Sequence, residues 1–351
     1  MSESQDTLFR LDFNGSVKIE GRRQRLTGDA GALLLRELMG QLGMDAYLAE
    51  RLEDRRDQAV TKHPWAELLR TAVLLPAQGW RDLEDAELLR DDPVLRLAVS
   101  DRRGDAPLRA IPEGALVPDG LASQPTLSRL HKSLSTPANR AGLQEALVEA
   151  AVRRLQASEG GPLEHATLDI DSLPIETWGH QDGSIYNGHF GHRGYHPIVG
   201  SVAETGDLLA LKLRPGNVHT AQGALEFVDE LIDQVQGRYA KRVSLRIDAG
   251  FPEETFLSSL EQRDVAYVAR IRKNAVLERM AEPHVRRPPG RPPKEPRTWV
   301  HELRYRAGSW SRQRRVVLVV QERPGELFLH TFFLLTSFSP QQMPADNLLA
   351  L

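Results

Sequence analysis

The sequence predicts a mixed α/β protein with a helical N-terminal region, and three observations carry that prediction. Apolar residues recur at helical intervals through the first part of the chain, then switch to strict alternation from residue 166. After the switch the runs follow one another as strand, hairpin, helix, strand, helix, strand. Beyond a proline- and arginine-rich stretch, the remaining runs read as strands.

Residues 28–100 read as helices. Leu33, Leu34, Leu35, Leu38, Met39 and Leu42 recur at helix-like spacing, as do Trp65, Leu68, Leu69, Ala72 and Val73. Residues 102–122 hold three prolines and three glycines and read as a connection. Ser123 is placed to cap a short helix reaching Leu134, which carries Arg129, His131 and Lys132. That helix fits a DNA-facing role and a packing role between domains equally well. A further helix over residues 138–157 is closed by Gly160 and Gly161.

In residues 166–171, Leu168 and Ile170 alternate with Thr167, Asp169 and Asp171, the pattern of a half-buried strand. Residues 197–202 and 208–213 are strand-like runs around a turn of Glu204, Thr205, Gly206 and Asp207. Leu225, Val228, Leu231, Ile232 and Val235 then share one helical stripe, which Gly237 ends. Residues 243–248 alternate again. The following Gly250, Phe251, Pro252, Glu253 and Glu254 announce a helix, since proline suits its first turn and glutamates its positive end. Residues 266–271 form another strand.

Residues 282–297 are too rich in proline for a helix interior or a central strand. With strands at 299–306, 316–321 and 327–336, they read as a β-rich insertion with a basic entrance. The expected division is a helical region over 1–160, an α/β core over 161–281, the insertion over 282–337, and the start of a further helix over 338–351.

A chain of 351 residues can bury two or three separate cores. With no cysteine, disulfides, thiolate zinc sites and cysteine nucleophiles are excluded. No apolar run reaches the roughly 18 residues of a membrane span, and the polar start lacks signal-peptide character, so a cytoplasmic protein is expected. The net charge of -3 does not by itself point to nucleic acid. Its distribution is more telling, because ten basic residues between 286 and 315 are opposed only by Glu295 and Glu302.

Asp169 and Asp171 lie two residues apart and share a strand face, while Asp248 closes a second strand downstream. If those strands are neighbours, the carboxylates converge. Hard divalent cations such as Mg2+ prefer carboxylate oxygen, and two ions about 4 Å apart can hold the attacking and leaving oxygens of phosphoryl transfer. Strand-end aspartates also serve as structural or capping groups, and the pattern alone leaves both readings open.

Several blocks resemble DDE transposases, closest to the insertion-sequence group numbered thirteen-eighty. They are Leu168 to Ser172, Gly179 to His189, Gly194 to Pro197, Leu213 to His219 and Arg246 to Phe251, with a similar upstream run from Ser123 to Arg129. In their shared order they cover most of residues 25–350. The resemblance implies a ribonuclease H-like mixed-sheet core whose Asp-Asp-Glu triad binds two Mg2+ or Mn2+ ions. It implies double-stranded DNA as partner (terminal inverted repeats and target), a homodimer in the synaptic complex, and a place at the bacterial nucleoid. The first catalytic and metal-binding aspartate carries over to Asp171, with Asp169 as rival or supporting ligand, and the second to Asp248. The family's third carboxylate is a glutamate on a helix after the β insertion, in a Tyr-Arg-Glu context. Here a helix from Ala345 to Leu351 has barely two turns, and Glu322 and Glu326 in a turn context substitute poorly. The expectation is a chain cut short that does not complete catalysis alone.

Arg286, Arg287, Arg291 and Lys294 are expected to contact phosphates, although a solvated linker also fits. His180, His189, His192, His196 and His219 match no tight zinc spacing. The resemblance places their segment where DNA passes, which makes His189, His192 and Arg193 candidate contacts beside Arg129. It also makes Trp299 and Trp310 candidates for stacking on a displaced base, worth about 1–3 kcal/mol, against a plain core role. Three readings stay open: a transposase, a DNA-binding remnant or regulator that does not cut, and a ribonuclease H-like nuclease of another pathway.

Overall fold

The computed structural model describes residues 9–19, 29–101, 120–291 and 293–349. The chain divides into two units, Met1–Ala157 and Ser158–Leu351. Most of the connection expected at 102–122 lies outside the described residues. No helix among the described residues is long and apolar enough to cross a membrane.

The first unit opens on a hairpin absent from the sequence reading, β1 (Phe9–Leu11) and β2 (Asn14–Ile19). Its helices are α1 (Gly31–Gln41), α2 (Met44–Arg51), α3 (Trp65–Ala77), α4 (Asp85–Leu88), α5 (Pro93–Val99), α6 (Gln124–Leu134) and α7 (Pro137–Glu159). Leu33, Leu48, Leu68, Leu74, Leu95, Leu127 and Leu130 meet in one core. Asp92 caps α5 by accepting from the N–H groups of Val94 and Leu95, at 2.9 and 2.8 Å, with Pro93 beginning the helix. The leucine-rich stripe of α1 departs from expectation. Leu34 and Leu38 are exposed, while Arg36 and Glu37 point inward. Burial of these charges is tolerated because Arg36 pairs with Asp45, and Glu37 accepts from the Asp12 N–H at 3.0 Å.

The second unit is built on an eight-stranded sheet. In chain order its strands are β3 (Leu163–Ser172), β7 (Ile198–Val202), β8 (Leu208–Lys212), β9 (Ala240–Ile247), β10 (Ala266–Ile271), β11 (Arg297–Tyr305), β12 (Arg314–Glu322) and β13 (His330–Thr336). Their spatial order is β11-β12-β13-β10-β9-β3-β7-β8. The neighbours β3, β9 and β10 are parallel, and the other pairings are antiparallel. Between β3 and β7 the chain makes a small second sheet from β4 (Ile175–Glu176), β5 (Ile185–Asn187) and β6 (His192–Tyr195), which the sequence reading also lacked.

Helices α8 (Ala224–Val235) and α9 (Glu254–Gln262) cover one face of the large sheet. Leu168, Ile170, Leu245 and Ile247 point into that layer and are buried. Packing there is close, since a Cβ on Gly200 would lie 2.5 Å from the Leu231 side chain. A shorter helix, α10 (Ala275–Ala281), follows β10, with Asn274 accepting from the N–H groups of Val276 and Leu277.

The strands expected at 299–306, 316–321 and 327–336 correspond to β11, β12 and β13. β13 pairs directly with β10 from Val268↔Thr336 to Ile271↔Phe333, so β11, β12 and β13 extend the core sheet. Strand β12 is buried along nearly its whole length because it has a strand on each side and cover on both faces. The segment after β13 supplies part of that cover: Phe338, Met343, Ala345 and Leu348 pack on Val268, Val317 and Val319. Where a helix start is expected near Ala345, the chain forms a 3-10 turn at Asn347–Leu349.

Candidate active site

The alternation of β3 and β9 sorts their side chains cleanly. Apolar residues turn toward α8 and α9, and Asp169, Asp171 and Arg246 emerge on the opposite face. The last paired positions of the parallel ladder are Ile170 and Ile247. Asp171 and Asp248 are the next residues on each strand, so their carboxylates stand at the same end of neighbouring strands, and both are exposed.

Local backbone orients each of them. The Ser172 N–H donates to Asp171 Oδ1 at 2.7 Å, and the Gly250 N–H donates to Asp248 Oδ1. Gly250 is needed there, because a Cβ would lie 2.7 Å from the Thr220 side chain and 3.0 Å from Asp248 Oδ1. Thr220 belongs to a loop held by buried Arg214, which donates to the carbonyls of His196, Thr220 and Gln222 at 2.9, 2.9 and 2.8 Å. Burial lowers the pKa of that guanidinium. Arg214 thus fixes the loop whose Thr220 backs the Asp248 turn.

Asp169 is placed differently. Arg246 Nε donates to its Oδ1 at 2.6 Å and Arg246 Nη2 to its Oδ2 at 2.5 Å, a two-pronged ion pair across the ladder. Both Asp169 oxygens are therefore engaged, whereas neither Asp171 nor Asp248 forms an ion pair among the described residues. Asp171 and Asp248 suit Mg2+ or Mn2+ as an oxygen-only donor set with free lone pairs and room for the ion's own waters. No group of three potential metal ligands gathers among the described residues.

Arg270 escaped the sequence reading, and Arg246 entered it only as the first residue of a resembling block. Arg270 follows Ala269, which is paired with Ile247, so it stands beside Asp248 one strand further on. Its guanidinium lies 5.0 Å from the Phe332 ring centroid. The only signal of Arg270 in the sequence is its place in an alternating strand.

The other candidates scatter. His189, His192 and Arg193 lie on or beside the small sheet, where Phe190 sits 5.0 Å from His189 and stacks on His192 at 5.9 Å. Arg193 donates to the Ser184 carbonyl at 2.5 Å and so braces that sheet. Arg129 is exposed on α6, as are His131 and Lys132; Ser123 sits at the cap position, its hydroxyl 3.0 Å from that of Thr126. Arg286, Arg291 and Lys294 are exposed, but Arg287 donates to the Glu326 and Leu327 carbonyls at 2.8 and 2.7 Å.

Trp310, a stacking candidate from the sequence, is enclosed. It is 7% exposed and packs edge-on to Tyr305 with Arg314 over its ring. Trp299 is half-buried beside the His284 carbonyl, and the fully displayed tryptophan is Trp178, 82% exposed, just after β4. Two arginines of the basic run are likewise internal. Arg314 binds Glu254 and Glu261 of α9, and Arg315 binds Glu302. Hydrogen bonds from Arg314 and Ser311 lower the Glu254 pKa to about 2. For Glu261, burial acts to raise the pKa, and bonds from Arg314, Tyr267 and Arg312 outweigh it.

The fold, with its paired strand-end aspartates, defines a class that the family comparison names. Residues 9–350 match the transposase DDE domain group 1, and the chain belongs to that family. Among solved structures it is similar to a piggyBac transposase seen by cryo-EM in a synaptic complex with hairpin DNA, at 14% identity and a TM-score of 0.40. That likeness covers 92% of this chain and 65% of the other, so this chain spans just under two thirds of its length. No curated protein matches the sequence.

Proposed function

We propose that this protein is a DNA transposase that cuts and joins strands at the terminal inverted repeats of a bacterial insertion sequence. The observation that carries the reading is the adjacency of Asp171 and Asp248 on parallel β3 and β9. A central strand flanked by a parallel partner and an antiparallel hairpin supports a ribonuclease H-like core. In this reading Asp171 and Asp248 are the catalytic and metal-binding aspartates, because Arg246 already occupies both oxygens of Asp169. A bound Mg2+ or Mn2+ ion would supply Lewis acidity toward water and phosphate. The chain's own groups position and neutralise: Arg270 beside Asp248 receives the scissile phosphate, and Arg129, Arg286, Arg291 and Lys294 hold flanking backbone. The synaptic species is a homodimer on DNA.

The test uses the full chain with duplexes carrying the element's own ends. On this reading, and against the expectation of a chain that does not complete catalysis alone, wild type should cut in Mg2+ or Mn2+, and Asp248→Asn should lower cleavage by at least about 100-fold with end binding kept within about threefold. Undiminished cleavage by that variant would remove Asp248 from the site. A second reading, a DNA-binding chain that does not cut, rests on the exposed basic residues Arg129, Arg286, Arg291 and Lys294. It predicts end binding by wild type and no cleavage in either metal.

A further inference from the structure

We infer that the Asp169–Arg246 pair sets the charge of the metal site, with Arg246 acting as a positioning residue that withholds Asp169 from coordination. The inference rests on the reading that Asp171 and Asp248 hold a divalent ion.

Asp169 and Arg246 are partnered positions on β3 and β9, one step behind Asp171 and Asp248 on the same sheet face. Two strand positions separate residues by about 7 Å, close enough for an uncompensated charge to act on an ion at the strand ends. The pair is 25% and 46% exposed, so it adds little to stability. Its consequence is electrostatic. With the pair closed, the site presents the two carboxylates of Asp171 and Asp248, with the Arg270 cation beside Asp248 on β10. Releasing Asp169 would bring three, and deleting Asp169 would leave the Arg246 cation to offset one of the two. The two-pronged geometry also turns both Asp169 oxygens toward Arg246 on β9.

The experiment titrates Mn2+ alone into the full chain without DNA, reading free Mn2+ by electron paramagnetic resonance. Arg246→Gln should tighten Mn2+ binding, and Asp169→Asn should weaken it, each by about three- to tenfold. The double variant should return to within about twofold of wild type. Arg246→Lys, which keeps the charge but loses the fork, should also stay within about twofold. A purely structural clamp would lower the melting temperature of every variant and leave Mn2+ affinity unmoved. Shifts of the same sign in both single variants, or none, would overturn the inference. Should Arg246→Gln fail to fold, Asp169→Asn decides: weakened binding supports the inference and unchanged affinity sinks it. The underlying reading fails separately, if wild type binds no Mn2+ or if Asp171→Asn and Asp248→Asn bind it as wild type does, and the inference falls with it.

Discussion

Ile170 and Ile247 are the last paired residues of two parallel strands, and each is followed at once by an aspartate. Like charges so placed repel, so neutralising either should not harm the metal-free fold. Asp171→Asn and Asp248→Asn should each melt, in chelator, within about 0.5 kcal/mol of wild type. Saturating Mn2+ should raise the wild-type midpoint and not theirs, because only a binding-competent native state gains from ligand. Calorimetry with and without Mn2+ checks this. A metal-induced rise retained by both variants would place the ion elsewhere.

Arg314 joins β12 to α9 through Glu254 and Glu261 while almost wholly buried. Arg314→Leu removes the buried cation that Glu254 and Glu261 share and should cost about 3–5 kcal/mol. Both glutamates have folded pKa values below their usual 4.5, Glu254 at about 2. Their contribution is therefore present above pH 4.5 and is lost as pH falls from there toward 2. Wild type should lose stability across that window, and Arg314→Leu should lose less. Urea titrations at stepped pH measure the difference; parallel curves would contradict it.

Trp310 and Trp178 differ in setting, one enclosed and one displayed. Trp310→Ala should destabilise by about 3–5 kcal/mol through lost packing. Trp178→Ala should change stability by no more than about 0.5 kcal/mol. Equal losses in denaturant midpoints would mean that Trp178 is covered in solution.

Within the basic stretch, Arg286 and Arg291 are open and Arg287 is tied to the turn between β12 and β13. Replacing Arg286 and Arg291 together by Ala should flatten the salt dependence of DNA binding by about 1 to 2 units of log–log slope. Arg287→Ala should instead speed limited proteolysis at residues 323–329. An unchanged salt slope in the double variant would leave the stretch as a linker.

Much of the fold was legible because its signals are local. The alternation of residues 166–171 and 243–248, the stripe from Leu225 to Val235, and the proline and glutamates before α9 each report a backbone periodicity or a helix end. The hairpin of β1 and β2 and the small sheet of β4, β5 and β6 were not legible. Their strands carry at most two apolar residues each, too few for alternation to register. The basic run misled in part, since charge in a sequence carries no sign of burial, and Arg314 and Arg315 became internal once partnered by glutamates 12 or more residues away.

By itself the sequence determined which residues end the strands and which face of each strand is polar, because both follow from spacing along one chain segment. Only the tertiary structure decided that β3 lies beside β9, that Asp169 is taken by Arg246 while Asp171 is left open, and that the late strands continue the core sheet. Those outcomes depend on which strand edges and charges meet across long separations, and no local period encodes that choice.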